Sequence, residues 1–62
     1  MEVEYKCVKE VLPNLWHHNV IVDGVKSHVI ESSVVPMPEE DVIMGIKDGI
    51  LTTTDTWVVK CP

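Results

Sequence analysis

Three histidines and two cysteines are the candidates in this chain for holding a zinc-like metal ion. His17, His18 and His28 lie in the first half, and Cys7 and Cys61 lie near the two ends. Zinc sites are built from Cys-x-x-Cys or His-x-His spacings of three to five residues, and neither occurs here. His17 and His28 fall diagonally across a strand pair, close to mutual reach, but a pair of histidines does not define a site. The expectation is no metal and no cofactor. The Glu39-Glu40-Asp41 cluster could be an acid/base or metal patch, yet a helix start accounts for it fully. Ser27, Ser32, Ser33 and Thr52 to Thr56 include no Gly-x-Ser-x-Gly elbow. A chain of 62 residues has little room for an enclosed pocket. The expectation is therefore a non-enzymatic protein.

The elements that must position these residues are short. The stretch from Pro36 to Leu51 carries a complete helix grammar: Pro38 at the first helical position, acidic residues in the first turn, and Gly49 as the left-handed stop. Val42, Ile43, Ile46 and Ile50 form its apolar stripe, and Ile50 folds back towards Met44. Asp23-Gly24 between valine-rich runs predicts a two-residue hairpin, with Val22 opposite Val25, Val20 opposite Ser27 and His18 opposite Val29. One face of it then carries Val20, Val22, Val25 and Val29. The other carries Ile21, Lys26, His28 and Ile30, a mixed surface suited to cover by another chain. Residues 2–12 alternate as a half-buried strand with Val3, Tyr5 and Cys7 on one face, and the phase slips at Cys7-Val8, predicting a bulge or bend. After Leu51 the alternation of Trp57, Val59 and Cys61 predicts a final strand.

Composition bounds the class. Twelve valines, five isoleucines and no alanine favour β structure. A net charge of −5 with no arginine argues against a phosphate-backbone footprint and a basic membrane-surface helix. No apolar run approaches a membrane span of roughly 20 residues. The opening Met1-Glu2-Val3-Glu4 lacks the pattern of a signal peptide, so the expected compartment is the cytoplasm, where Cys7 and Cys61 read as thiols, with a disulfide between them as the alternative if the first and last strands pair. The reading is one domain over residues 1–62, α+β and β-rich: a small SH3-like barrel or curled antiparallel sheet of four or five strands, with one short helix before the last strand. A domain this small buries only about 60% of its unfolded surface and gains from a partner. Trp16 closes one end of the core or anchors that partner. The expected contact residues are Trp16, His17, Ile21, His28 and Ile30.

The order of parts also resembles a known group. Lys6-Cys7-Val8-Lys9, the Val22-Asp23-Gly24-Val25 hairpin, then Pro38-Glu39-Glu40-Asp41 and a helix ending at Gly49-Ile50-Leu51 resemble the short accessory domains of tailed bacteriophages. The named relative is the N-terminal domain of Mu-like prophage FluMu proteins, over residues 5–51. Leu15-Trp16-His17-His18 and the segment around Trp57 depart from that pattern. The resemblance implies a protein made in the host cytoplasm and located in the virion. Its role would be capsid decoration or attachment at the head or tail, in symmetric copies as a homo-oligomer. It carries over no catalytic or binding residue. The alternative is a small acidic inhibitor of a host enzyme or defence complex. Nucleic-acid mimicry is disfavoured, because five lysines interrupt the acidic residues.

Overall fold

The computed structural model describes residues 1–61. Three strands form one antiparallel sheet in the order β1 (Val3–Leu12), β2 (Leu15–Val22), β3 (Val25–Ser32), and α1 (Glu39–Lys47) follows them. The architecture is thus β-rich α+β. It is an open three-stranded sheet rather than a barrel of four or five strands, and α1 comes after the strands instead of before a last one.

The hairpin register is as expected. Val22 pairs with Val25, Val20 with Ser27 and His18 with Val29. Asp23 and Gly24 both have positive φ, 50° and 84°, as a type I′ turn requires. At the other end Asn14, at φ 62°, turns β1 into β2 behind Pro13.

β1 bulges one residue earlier than the sequence rhythm suggests. Tyr5 pairs with Val20 but Cys7 pairs with Asn19, so Lys6 is the extra residue. Directly opposed residues share a face and adjacent ones do not. Tyr5 therefore faces the side of Val20, and Cys7 is turned to the opposite side with Asn19. The expected grouping of Cys7 with Val3 and Tyr5 is corrected by this bulge.

α1 covers the Val20 face. Val42 and Ile46 are buried against Val20 and Val29, with Val3, Tyr5, Val22, Met37 and Leu51 packed around them. Pro38 is the cap rather than the first helical residue, with extended backbone, and Glu39, Glu40 and Asp41 fill the first turn. At the far end Ile50 N–H donates to Gly45 O at 2.9 Å and Gly49 N–H to Ile46 O at 3.1 Å. With Gly49 at φ 75° this is a Schellman closure. Ile50 lies past that turn and is exposed, so the apolar stripe ends at Ile46.

The segment after Leu51 is not a fourth strand. Among the described residues it pairs with the sheet by backbone bonds only at His28–Thr54, on the outer edge of β3. It then crosses the second face as an extended strap and is joined to β1 by the Cys7–Cys61 disulfide. The expected alternation survives within it: Trp57, Val59 and Cys61 are half-buried, and Thr56, Val58 and Lys60 are exposed. The mixed face of the hairpin is thus covered in part by the chain itself, and the cysteines are not free thiols.

Candidate functional site

Each face of the sheet holds a buried polar group, and one apolar groove lies open. On the α1 face His18 is 0% exposed. Its Nδ1 meets the Tyr5 hydroxyl at 2.9 Å and its Nε2 meets Glu31 Oε1 at 2.8 Å. A carboxylate can only accept, so Nε2 carries the hydrogen, and in the neutral ring Nδ1 accepts from the phenol. Glu31 Oε1 also accepts the Met37 N–H at 3.0 Å, which ties the entry of α1 to the histidine. Burial raises the Tyr5 pKa above its ordinary value, with Glu39 and Glu31 adding to the effect, so the phenol stays protonated. A hydroxyl, an imidazole and a carboxylate in series resemble a nucleophile chain. Here the central ring is sealed under the helix, and the chain's evident work is to satisfy a buried histidine.

The strap face holds the second group. His17 and His28 stack with centroids 5.4 Å apart and planes 12° from parallel. His28 Nδ1–H donates to Thr56 O at 2.6 Å, which leaves the Nε2 lone pair of the neutral ring free. Asn19 is fully buried between them and the disulfide, its Nδ2 donating to Val59 O at 3.0 Å and to Cys61 Sγ at 3.4 Å. Trp57 Nε1–H donates to Val20 O at 3.0 Å while Lys26 Nζ sits 4.9 Å over the Trp57 ring. Two buried atoms in this layer have no hydrogen-bond partner among the described residues, His17 Nδ1 and Asn19 Oδ1. The His17 pKa is lowered, by burial first and by His28 and His18 next, so its ring is held neutral.

The open groove lies on the outer side of α1 and is about 220 Å3, lined by Met37, Met44, Gly45, Ile50 and Leu51 with Asp41 and Asp48 at its rim. Met44 is 62% exposed and Ile50 77%.

The five expected contact residues divide. His17, Ile21, His28 and Ile30 share the strap face by strand alternation, and Trp16 lies on the other. His17 and His28 are buried beneath the strap, Ile21 is half-buried, and Ile30 is exposed. Trp16 is half-buried, with its Nε1–H donating to Ser33 O at 2.9 Å, so it pins the connection between β3 and α1. Tyr5, Asn19 and Glu31 were not singled out by sequence reasoning. The hairpin register held the signal: it puts His18 on the apolar face, and a buried histidine there needs partners on neighbouring strands.

Among the described residues no helix is long and apolar enough to cross a membrane. Comparison with known proteins finds no matching family, no matching curated protein and no matching solved structure.

Proposed function

We propose that this chain is a non-enzymatic protein-binding module whose contact surface is the groove beside α1. The observation that carries the reading is the placement of Met44 and Ile50, two large apolar side chains left open beside the half-buried Met37 and Leu51. Methionines make such a surface adaptable to a partner's shape. Asp41 and Asp48 at the rim, with Glu39 and Glu40 in the same helix, select a partner with basic flanks. The occupant that fits is an amphipathic segment with an apolar stripe edged by lysine or arginine, laid into the groove. In the setting that the phage resemblance implies, that segment belongs to another protein of the virion. The contact there is mainly apolar burial and persists at high salt. Inhibition of a host enzyme through a basic cleft is the rival setting, in which affinity falls steeply with salt.

The test is titration calorimetry of the full chain with a synthetic leucine/lysine amphipathic helical peptide. A peptide of the same composition with its amphipathic order scrambled is the control. Saturable binding of the ordered peptide alone is expected, weakened about tenfold by Ile50→Ser, which removes roughly 1.5 kcal/mol of apolar contact. Equal binding of both peptides, or indifference to Ile50→Ser and Met44→Gln, overturns the reading.

A further inference from the structure

The sheet has two outer edges, and the chain engages one of them. Along β3 the strap's Thr54 takes both backbone groups of His28. Along β1 the edge is open: the strand pairs with β2 on its inner side, and among the described residues no backbone bond reaches its outer one. An uncovered edge of ten residues is a template for another strand. The hairpin fixes which groups lie on it. Val22 and Val25 flank a two-residue turn and exchange backbone bonds, so Ile21, Asn19, His17 and Leu15 turn theirs to β1. Their partners Glu4, Cys7, Lys9 and Leu12 therefore point inward, in phase with the 2.8 Å bond from Asp23 N–H to Glu2 O. Left facing out are the N–H and C=O groups of Val3, Tyr5, Val8 and Glu10.

We infer that β1 pairs with β1 of a second copy of this chain, antiparallel about a two-fold axis between Lys6 and Cys7, which joins two three-stranded sheets into one of six. The outward residues are symmetric about that point. Val3 falls opposite Glu10 of the second copy, and Tyr5 opposite Val8. The bulge at Lys6 spaces Tyr5 and Val8 three residues apart instead of two, so all four residues pair only when bulge lies against bulge. The side chains agree with this register. Glu4 and Lys9, which share the strap face with Ile21 and His17, stand opposite each other across the join, once on each side of the axis. Within one copy Glu4 holds Lys6, an exposed pair of little worth that Lys9 of the second copy can replace or share. On the other face Tyr5 meets Val8, an aromatic beside a β-branched residue. A cavity of about 450 Å3 lined by Cys7, Val8, Lys9, Lys60 and Cys61 borders the middle of the edge. No residue of β2 lines it, so it opens outward and leaves space beside the axis.

The pairing closes at two copies. Thr54 interrupts the outer edge of β3 at its middle, so the joined sheet offers no continuous run to a third copy. The groove beside α1 uses none of the pairing residues, so the dimer presents two such grooves, and a failure of either contact leaves the other standing.

The test is analytical ultracentrifugation of the oxidised full chain over a range of concentrations. The expected result is a reversible equilibrium of monomer and dimer. Val8→Pro removes an outward N–H that the described residues leave without a backbone partner, and gives a monomer with an unchanged far-ultraviolet circular dichroism spectrum. Glu4→Lys and Lys9→Glu each set like charges opposite one another on both sides of the axis and weaken the dimer by about tenfold. Mixing these two variants in equal amounts restores it, because every like pair then becomes an opposite one. A chain that stays monomeric at about 1 mM overturns the inference. So does a dimer indifferent to both charge changes, or one that mixing fails to restore. Where Val8→Pro unfolds the chain, the mixing result decides alone. A dimer weakened by Ile50→Ser and Met44→Gln but not by the charge changes seats the second copy in the groove, and overturns the edge pairing.

Discussion

Two residues tie the stability of this fold to pH. The His17 pKa is lowered from its ordinary 6.5, so in acid the unfolded chain takes up a proton before the folded one does. Its contribution is complete above pH 6.5 and is lost as pH falls through the lowered folded value. Tyr5 acts in the opposite direction. Its pKa is raised from 10.0, so the contribution is complete below pH 10.0 and is lost as pH rises towards the folded value. Denaturant midpoints of the oxidised chain measured against pH should fall on both sides. His17→Gln should reduce the fall below pH 6.5 and Tyr5→Phe the one above pH 10.0. Tyr5→Phe also leaves His18 Nδ1 buried without a donor, at a cost of about 1–3 kcal/mol at neutral pH. The sequence showed His18 opposite Val29 on the apolar face, but the identities of its partners depended on the bulge at Lys6 and the fold of the chain after β3. Glu31 is set beside His18 by the sheet, and its tie to the Met37 N–H depends on where α1 lands.

At the scale of elements, what was legible followed local rules. Asp23-Gly24 set the hairpin register, and the acidic first turn and Gly49 set the helix ends within a residue. The final strand was misread for a physical reason. Alternation of Trp57, Val59 and Cys61 specifies an extended segment with one inward side, and it does not say what that segment's backbone bonds to. In this fold side chains of the sheet take that role: His28 caps Thr56 O and Asn19 caps Val59 O. A strap held in this way needs no ladder. Cys7 and Cys61 were read as thiols from the expected compartment, and the bulge at Lys6, which turns Cys7 to the strap face, is what brings the two sulfurs together. The packing at the helix end makes a separate prediction. A Cβ on Gly45 would lie 2.7 Å from Leu51 Cδ1 and 2.8 Å from its Cγ, so the branched end of the Leu51 side chain must move. Gly45→Ala gains about 1 kcal/mol of helix propensity but should be net destabilising by about 1–2 kcal/mol through overpacking. In thermal melts, Gly45→Ala on a Leu51→Ala background should instead be neutral or stabilising. Additive losses in that cycle would mean the contact is not the cause.

At the scale of the whole molecule, the four apolar side chains buried among the described residues are a small core, and a covalent link joins residues 54 positions apart. In the loop-entropy account such a link is worth about 4 kcal/mol, comparable to the entire stability of a domain this size. Reduction should therefore lower the urea midpoint to the edge of unfolding, and Cys7→Ser should do the same under oxidising conditions. An unchanged midpoint would assign the stability to the strap's hydrogen bonds instead. The link has a further meaning for survival of the chain among proteases. It makes residues 7–61 a closed ring, and the exposed Val34-Val35 stretch between β3 and α1 lies inside it. A single cut there opens the ring without shedding a piece. The nicked protein gains one water in mass, migrates intact on a non-reducing gel and parts into two fragments only when the sulfurs are separated.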